Sequence, residues 1–559
     1  MYTRITKSGP RQYLQLVEGF RDDSGKVKQR VVANLGRIDQ LDAKDLEPLI
    51  YGLQRAVGRP ESMPAAPVFE SAKTYGDVWA LHQLWQELGL GDALRRALRS
   101  SRRQFDAEAL IRAMVFNRLA DPGSKQGVLD WLRESTELPE LDSSGVHHEQ
   151  LLRAMDALED NKGAVERAVA QQLRPLLDQD LSVIFYDITT VRIHGTGQVD
   201  GDLRRHGMSK DTGGIARQFA LGVVQSAEGL PIAHEVFEGN VAEVTTLAPM
   251  IERLLERFKL KRVVIVADRG LLSIDNIAVL ESLGAQQGLR VDYILAVPAR
   301  RYSDFHELLE PLQATFNQQD DNALEDVVCE TEWEGRRLVV AHNTRRAREQ
   351  SAQRRRVVAE LDEFGKHLAA RLDDQDAGKS LRGRRASDRG AYKRFHQAVL
   401  EKRMSNIVKP DLGSELFSYD IDEAALAAAE RLDGKLLLVT SLKDLDGEAV
   451  AERYRSLADI ERGFRVLKSE IEIAPVFHRL PERIRAHAMI CFMALVLYRV
   501  LRMRLKAADS EYSPDRALRL LRQIQQHKVR AGSRDYCGVS RLTPVQMQLF
   551  EEVGIGAPR

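Results

Sequence analysis

The spacing of apolar residues changes period several times along the chain. Over the first forty positions, the alternating runs RQYLQLVEGF and VKQRVVANLG flank the polar turn RDDSGK, which predicts a β-hairpin or small sheet. From about Val78 to Leu177 the period becomes helical. Within this block AEALIRAMVFNRLA and KQGVLDWLREST flank DPGS (Asp121 to Ser124), so two helices meet at a tight turn, as a helix-turn-helix or a plain helical hairpin. VIFYDITTV (Val183 to Val191) then opens as a β-branched and aromatic strand, with Asp187 where it should be most apolar. Two alternating runs, RQFALGVVQSAEG and LPIAHEVFEGN, join at Glu228-Gly229. TTLAPMIERLLERF follows, with Leu247, Met250, Ile251, Leu254, Leu255 and Phe258 on one helical face. KRVVIVADRG is a second buried strand, ending in Asp268, and DYILAVPAR a third. Arg301 to Leu432 interrupts this pattern with strand-like runs (EDVVCETEWEG, RRLVVAHNT) and two basic clusters, Arg345–Arg356 and Leu381–Phe395. GKLLLVTS resumes a strand, and a helical block is expected from Ala449 to about Ala507.

A meander followed by a helical crossover to a parallel strand fits a mixed sheet, because the crossover returns the chain beside its first strand. The fold class is therefore α/β, with the strand order of the ribonuclease-H-like fold. Six segments are expected: a β-hairpin region (1–60), a helical domain expected to bind DNA (61–180), a sheet core (181–300), an insertion (301–432), a second part of the core (433–507) and a C-terminal helical tail (508–559).

The chain has 559 residues, 43% hydrophobic and 29% charged, enough to build real cores. Lys+Arg and Asp+Glu are both 82, so net charge gives no argument for nucleic acid and local distribution must carry it. Cys329, Cys491 and Cys537 form no CxxC pair, which suits a reducing cytosol and argues against structural zinc. The N-terminus lacks the apolar core of a signal peptide. The longest apolar run, Ala488 to Tyr498, is too short to span a bilayer and reads as a buried helix.

A buried ionised carboxylate is costly unless paired, hydrogen-bonded or bound to a cation. Asp187 and Asp268 both follow apolar strand runs. A third acid lies in RYRSLADIERGFRVLKSEIEI, where Ile460, Phe464, Leu467 and Ile471 form an apolar stripe. Tyr454, Glu461 and Lys468 are seven residues apart, about two turns, and so line one edge of that stripe. Glu472 falls near the same azimuth and is the rival acid. Two strand-end acids and one on a packed helix suit metal-assisted phosphoryl transfer, since hard Mg²⁺ prefers carboxylate oxygen and two such ions clamp an in-line displacement. Lys468 and Arg465 would position DNA phosphates, and Tyr454 would stack on or hydrogen-bond to DNA. Each residue also has a plainer reading. A single Asp after an apolar run is commonly a turn or cap residue. Glu461 can pair with Arg465 on a helix surface, and Lys468 and Tyr454 can be boundary residues that snorkel.

Taken together, these motifs resemble a DDE transposase of a bacterial insertion sequence, within the ribonuclease-H-like, retroviral-integrase-like superfamily. The similar class carries Tyr-x2-Arg-x3-Glu-x6-Lys on its glutamate helix and a β-rich insertion before it. Tyr454, Glu461 and Lys468 match that motif, YDITT and VADRG carry the first two acids, and Leu457 stands at the Arg position. HGMSKD, VFEGNVAEVTT, FHRLPERIRAHAMICFMALVL and the N-terminal NLGRID are also similar to this class. The resemblance implies that Asp187, Asp268 and Glu461 are the catalytic metal ligands of a two-ion Mg²⁺ site in which Mn²⁺ substitutes. It implies cleavage at the element's ends and transfer of the freed 3′-OH into target DNA. The partners would be terminal inverted repeats and target DNA, with a homodimer in the synaptic complex, in the cytoplasm and away from membranes. Two other readings stay open: a haloacid-dehalogenase-like phosphatase using Asp187 as nucleophile, with Thr440 ending another strand, and a non-catalytic domesticated DNA-binding relative.

Overall fold

The computed structural model describes residues 1–41, 43–58, 67–99, 104–176, 183–195, 201–209, 214–257, 262–267, 277–278, 282, 290–316, 326–379, 385–457, 465–531 and 534–558. The chain divides into two compact units, Met1–Ala72 with Gln526–Gly538, and Lys73–Gln525 with Val539–Arg559.

In the first unit β1 (Tyr2–Ser8), β2 (Arg11–Arg21) and β3 (Val27–Arg37) form an antiparallel meander. The predicted RDDSGK turn is there. The Asp22 carboxylate accepts from the Ser24 and Lys26 amides, and Gly25 takes a positive φ of 78°. β4 (Val68–Thr74) pairs with a late hairpin, β16 (Gln525–Ala531) and β17 (Arg534–Val539). Residues 508–559, expected to be a helical tail, thus carry two strands between the helices Pro514–Leu521 and Pro544–Val553. The alternation in QQHKVRA was the available signal.

The second unit is built on a mixed sheet. Its strands are β5 (Val183–Arg192), β6 (Arg205–Met208), β7 (Ile215–Ser226), β8 (Pro231–Glu238), β9 (Arg262–Ala267), β10 (Arg290–Ala296), β11 (Val327–Trp333), β12 (Arg336–His342) and β15 (Lys435–Thr440). β13 (Val408–Asp411) and β14 (Ser418–Ile421) form a separate hairpin. The order is β11-β12-β15-β10-β9-β5-β7-β6, with β8 also on β7. β5, β7 and β8 are successively antiparallel, while β9 is parallel to β5 and β10 to β9. The crossover helix Leu247–Arg257 buries Leu247, Met250, Ile251 and Leu254, as its periodicity predicted. The side chain of Leu255, and Phe258, lie outside the described residues.

Strand alternation divides the sheet's side chains between two cores. Ile184, Tyr186, Val263, Ile265, Tyr293, Leu295, Leu437 and Val439 join the large helical core. Phe185, Val264, Val266, Ile294, Ala296, Leu436 and Leu438 join a smaller one with Val450, Ala451 and Leu457. The large core includes helix Ala107–Ala120, buried along its whole length, and helix Pro481–Ala507. The latter is long and apolar enough to cross a membrane by length and composition, but 94% of its most apolar window is buried inside the protein. It is a core helix, as the sequence suggested, although longer than the apolar run alone implied. The DPGS turn joins Ala107–Ala120 to the six-residue helix Lys125–Asp130, capped by the Ser124 hydroxyl accepting from the Gly127 amide. The second helix runs on through a π-helical stretch, Trp131–Ser135, as KQGVLDWLREST predicted, and the first is wholly buried, so the pair is a helical hairpin built into the core.

Two further expectations are corrected. The segment expected to be a β-rich insertion is mostly helical in its described part. Helices Thr344–Asp376 and Asp388–Glu401 pack through Val358, Leu361, Leu368, Leu372, Phe395 and Val399. Its strands β11 and β12 belong to the main sheet instead. The arginine-rich surface of the first helix obscured a regular apolar stripe. The helical block from Ala449 to Ala507 is also broken. Helix Gly447–Arg455 and helical residues 465–469 are followed by an irregular segment to 480, and Pro481 opens the next helix.

Candidate active site

Asp187 lies inside β5, not at its end. Pairing with β7 continues to Arg192↔Gln218, so the expectation of a strand-terminal acid is corrected. On the other side β5 is parallel to β9, with described pairs up to Tyr186↔Ala267. Asp187 is half-buried, and its Oδ1 accepts from the Ile188 amide at 2.7 Å. Phe185, two residues earlier, packs into the smaller core, so alternation gives Asp187 the parity of that face. Tyr186 points the other way, where its hydroxyl donates to Thr246 Oγ1 at 2.8 Å. Burial pushes the Tyr186 phenol well above its ordinary range, so it stays protonated. A Cβ at Gly222 on β7 would sit 2.7 Å from the Tyr186 hydroxyl oxygen, so only glycine lets that ring cross.

Asp268 and Glu461 lie outside the described residues. Their described neighbours define the surroundings. Ala267 is the last residue of β9, paired to the residue before Asp187. Tyr454, half-buried on helix Gly447–Arg455, packs against the smaller core, and Leu457 is buried in that core, to which Phe185, Val264 and Val266 also belong. Leu457, at the resembling class's Arg position, is therefore a buried core residue on the face whose parity Asp187 shares. Arg455 pairs with Asp326. Arg465 is exposed and Lys468 half-buried on the helical residues 465–469, whose Val466 and Leu467 are buried. Glu472, the rival acid, is exposed on the irregular segment with φ 49°, off the helix.

Among the described residues, no group of three His, Cys, Asp or Glu side chains is placed to hold a metal ion. The sequence reading missed a cavity of about 290 Å³ next to β5. Thr189, Thr190, Gly207, Gln218, Asn240 and Glu243 are part of its lining. It brings together YDITT, the described part of HGMSKD and VFEGNVAEVTT, which are far apart in sequence, so no local spacing signalled it. Beside these strands Asp202 is buried with Arg204 and Arg217, at 2.7 and 3.0 Å. Burial alone would push its carboxyl up, but those bonds hold it at about 2.

The phosphatase reading needs an aspartyl nucleophile at a strand end, and β5 runs on past Asp187. Residues 178–497, more than half of the chain, match the family model "Transposase DDE domain", and the chain belongs to that family of DDE transposases. Residues 2–66 match "IS1634 family transposase, N-terminal domain", which makes it a transposase of insertion-sequence type. No curated protein matches the chain.

Proposed function

We propose that the chain cuts DNA at the ends of its own insertion sequence and joins the freed 3′-OH to target DNA. The sheet is read as ribonuclease-H-like, with Asp187, Asp268 and Glu461 as the catalytic carboxylates. The observation that carries this reading is the facing of Asp187. It shares the parity of Phe185 on the face where Leu457, four residues before Glu461, is packed. Asp268 has, in sequence, the parity of Val264 and Val266.

An all-oxygen donor set suits a hard divalent ion, so Asp187, Asp268 and Glu461 would hold Mg²⁺, with Mn²⁺ substituting. Such ions, when bound, stabilise the attacking and leaving oxygens of an in-line displacement. Three carboxylates repel a phosphodiester, and Lys468 and Arg465 offset that repulsion while positioning the backbone. Tyr454 contacts the DNA from the same edge. The Ile188 amide orients Asp187 Oδ1. Pairing two element ends calls for a homodimer in the synaptic complex, acting in the bacterial cytoplasm.

The test is Mg²⁺-dependent nicking of a duplex bearing the element's terminal repeat. Asp187→Asn, Asp268→Asn and Glu461→Gln are each expected to abolish nicking while keeping the wild-type melting temperature. Nicking that survives all three substitutions overturns the carboxylate assignment, and a phospho-enzyme trapped on Asp187 overturns the reaction class.

A further inference from the structure

A second cavity, of about 670 Å³, opens between the DPGS turn, the irregular segment 472–480 and the first turns of Pro481–Ala507. Arg118, Lys125, His148, His478, Arg483 and His487 are among its lining residues. Arg118 and Lys125 are only 4% and 6% exposed. Arg118 donates to neutral acceptors, the Glu472 carbonyl at 3.3 Å, Asn117 Oδ1 at 3.2 Å and the Gly123 carbonyl. Its Nε is buried without a partner, as is Nδ1 of His487, whose Nε2 faces the Ile473 carbonyl at 3.1 Å.

Among the described residues no carboxylate bonds to either cation. Asp121 and Glu472 act on Arg118 only through space. Asp156 is taken by Arg483 at 2.8 and 3.0 Å. The Cys491 thiol, 3.6 Å from His487, is pushed by burial up to about 11 and supplies no thiolate. Burial, with Arg118 beside it, holds Lys125 down at about 7. Burial and Lys125 hold His478 at about 3, and the same causes keep His487 neutral.

Burying cations with no carboxylate bonded to them is costly, and here the cost comes with a roomy space whose lining also includes the exposed Glu472. At its mouth Phe477 is 62% exposed, its ring stacked on His194 at 5.5 Å and 22°. The same wall is tied to the end of β5. Ile193 bridges Val476, and the His194 amide donates to the Val476 carbonyl at 2.9 Å. Ile193, just past the end of β5, is six positions on from Asp187 along the extended chain, roughly 20 Å.

We propose that this cavity seats a DNA backbone phosphate on Lys125 and Arg118, with an adjoining base stacked on Phe477. That the anion belongs to DNA rests on the transposase reading. The seat itself requires no catalysis.

The test is binding of the full chain to a terminal-repeat duplex in EDTA over a range of salt concentrations. Lys125→Met is expected to bind about tenfold more weakly and to lower the salt slope by about one. It should also melt at a higher temperature, because an unbalanced buried charge is gone. Phe477→Ala, a surface change, should weaken binding about tenfold with the salt slope unchanged. Unchanged affinity and slope in Lys125→Met, or a lower melting temperature in that variant, overturns the proposal. So does stabilisation of wild type by inorganic phosphate, lost in Lys125→Met, with DNA affinity equal in both, since the seat then takes a free anion. Failure of the carboxylate assignment reads out separately, as Asp187→Asn that still nicks, because binding in EDTA needs no divalent ion.

Discussion

Helix Ala107–Ala120 buries charge at both ends and treats it in opposite ways. Near its start Glu108 accepts from Trp85 Nε1 and Arg95 at 2.8 Å each and pairs with Arg112 at 3.2 Å. Arg112 also donates to the Pro139 carbonyl at 2.8 Å. That group is closed, with every strong donor answered from within the fold. At the other end, among the described residues, Arg118 donates only to neutral acceptors and no carboxylate bonds to Lys125 beyond the turn. Glu108 and Arg112 are buried as deeply as Arg118 and Lys125, with only Arg95 half exposed, so burial does not separate a structural group from a binding one. Charge balance does.

Glu108→Gln tests the closed end and has the largest expected effect. It leaves two arginines facing a neutral amide and should cost about 3 kcal/mol, read as a lower melting temperature by calorimetry. A variant as stable as wild type would erase the contrast. Lys125→Met tests the open end with the opposite sign, a gain of about 1 kcal/mol from removing an unbalanced cation. The smallest effect is in its pH dependence. Lys125 sits at about 7 in the folded protein against an ordinary 10.5. Below about 7 it is charged in both states and its full penalty is present. Above that, the unfolded chain binds a proton the folded one lacks, so stability rises with pH. The melting-temperature gap between Lys125→Met and wild type should therefore narrow from about pH 6 to about pH 9, while wild-type affinity for DNA falls. A gap that stays constant would mean that Lys125 is not depressed.

What the sequence made legible follows from local pattern. The β5 run, the β7–β8 hairpin, the crossover helix and the buried helix at Ala488 all announce themselves by period and are present. The facing of Asp187 was also readable, because a strand's alternation fixes it once Phe185 is known to be core. Where Asp187 stands along the strand was not, since the run past it, ITTVR, is held in the sheet by pairing with β7, more than twenty positions on. Leu457 looked like a lost arginine until its burial in the smaller core, which residues of β5 and β9 share, was seen. Nothing in the local pattern KQGVLDWLREST singles out Lys125. Its significance comes from His478 and His487, more than three hundred positions away, and no periodicity links them.

β12 and β15 are antiparallel neighbours, from Arg337↔Thr440 to His342↔Lys435, and the Asn343 amide donates to the Gly434 carbonyl at 3.0 Å. Topologically, everything between those two residues is the loop of one hairpin. Gly434, at φ 71°, closes it where a Cβ would lie 2.5 Å from the Asn343 carbonyl oxygen. Because loop-closure entropy grows only logarithmically with length, the sheet is nearly indifferent to how much chain is stored there. This junction is a port in the architecture: the long helical excursion leaves and re-enters the sheet at one point, while β12 and β15 stay paired beside β10.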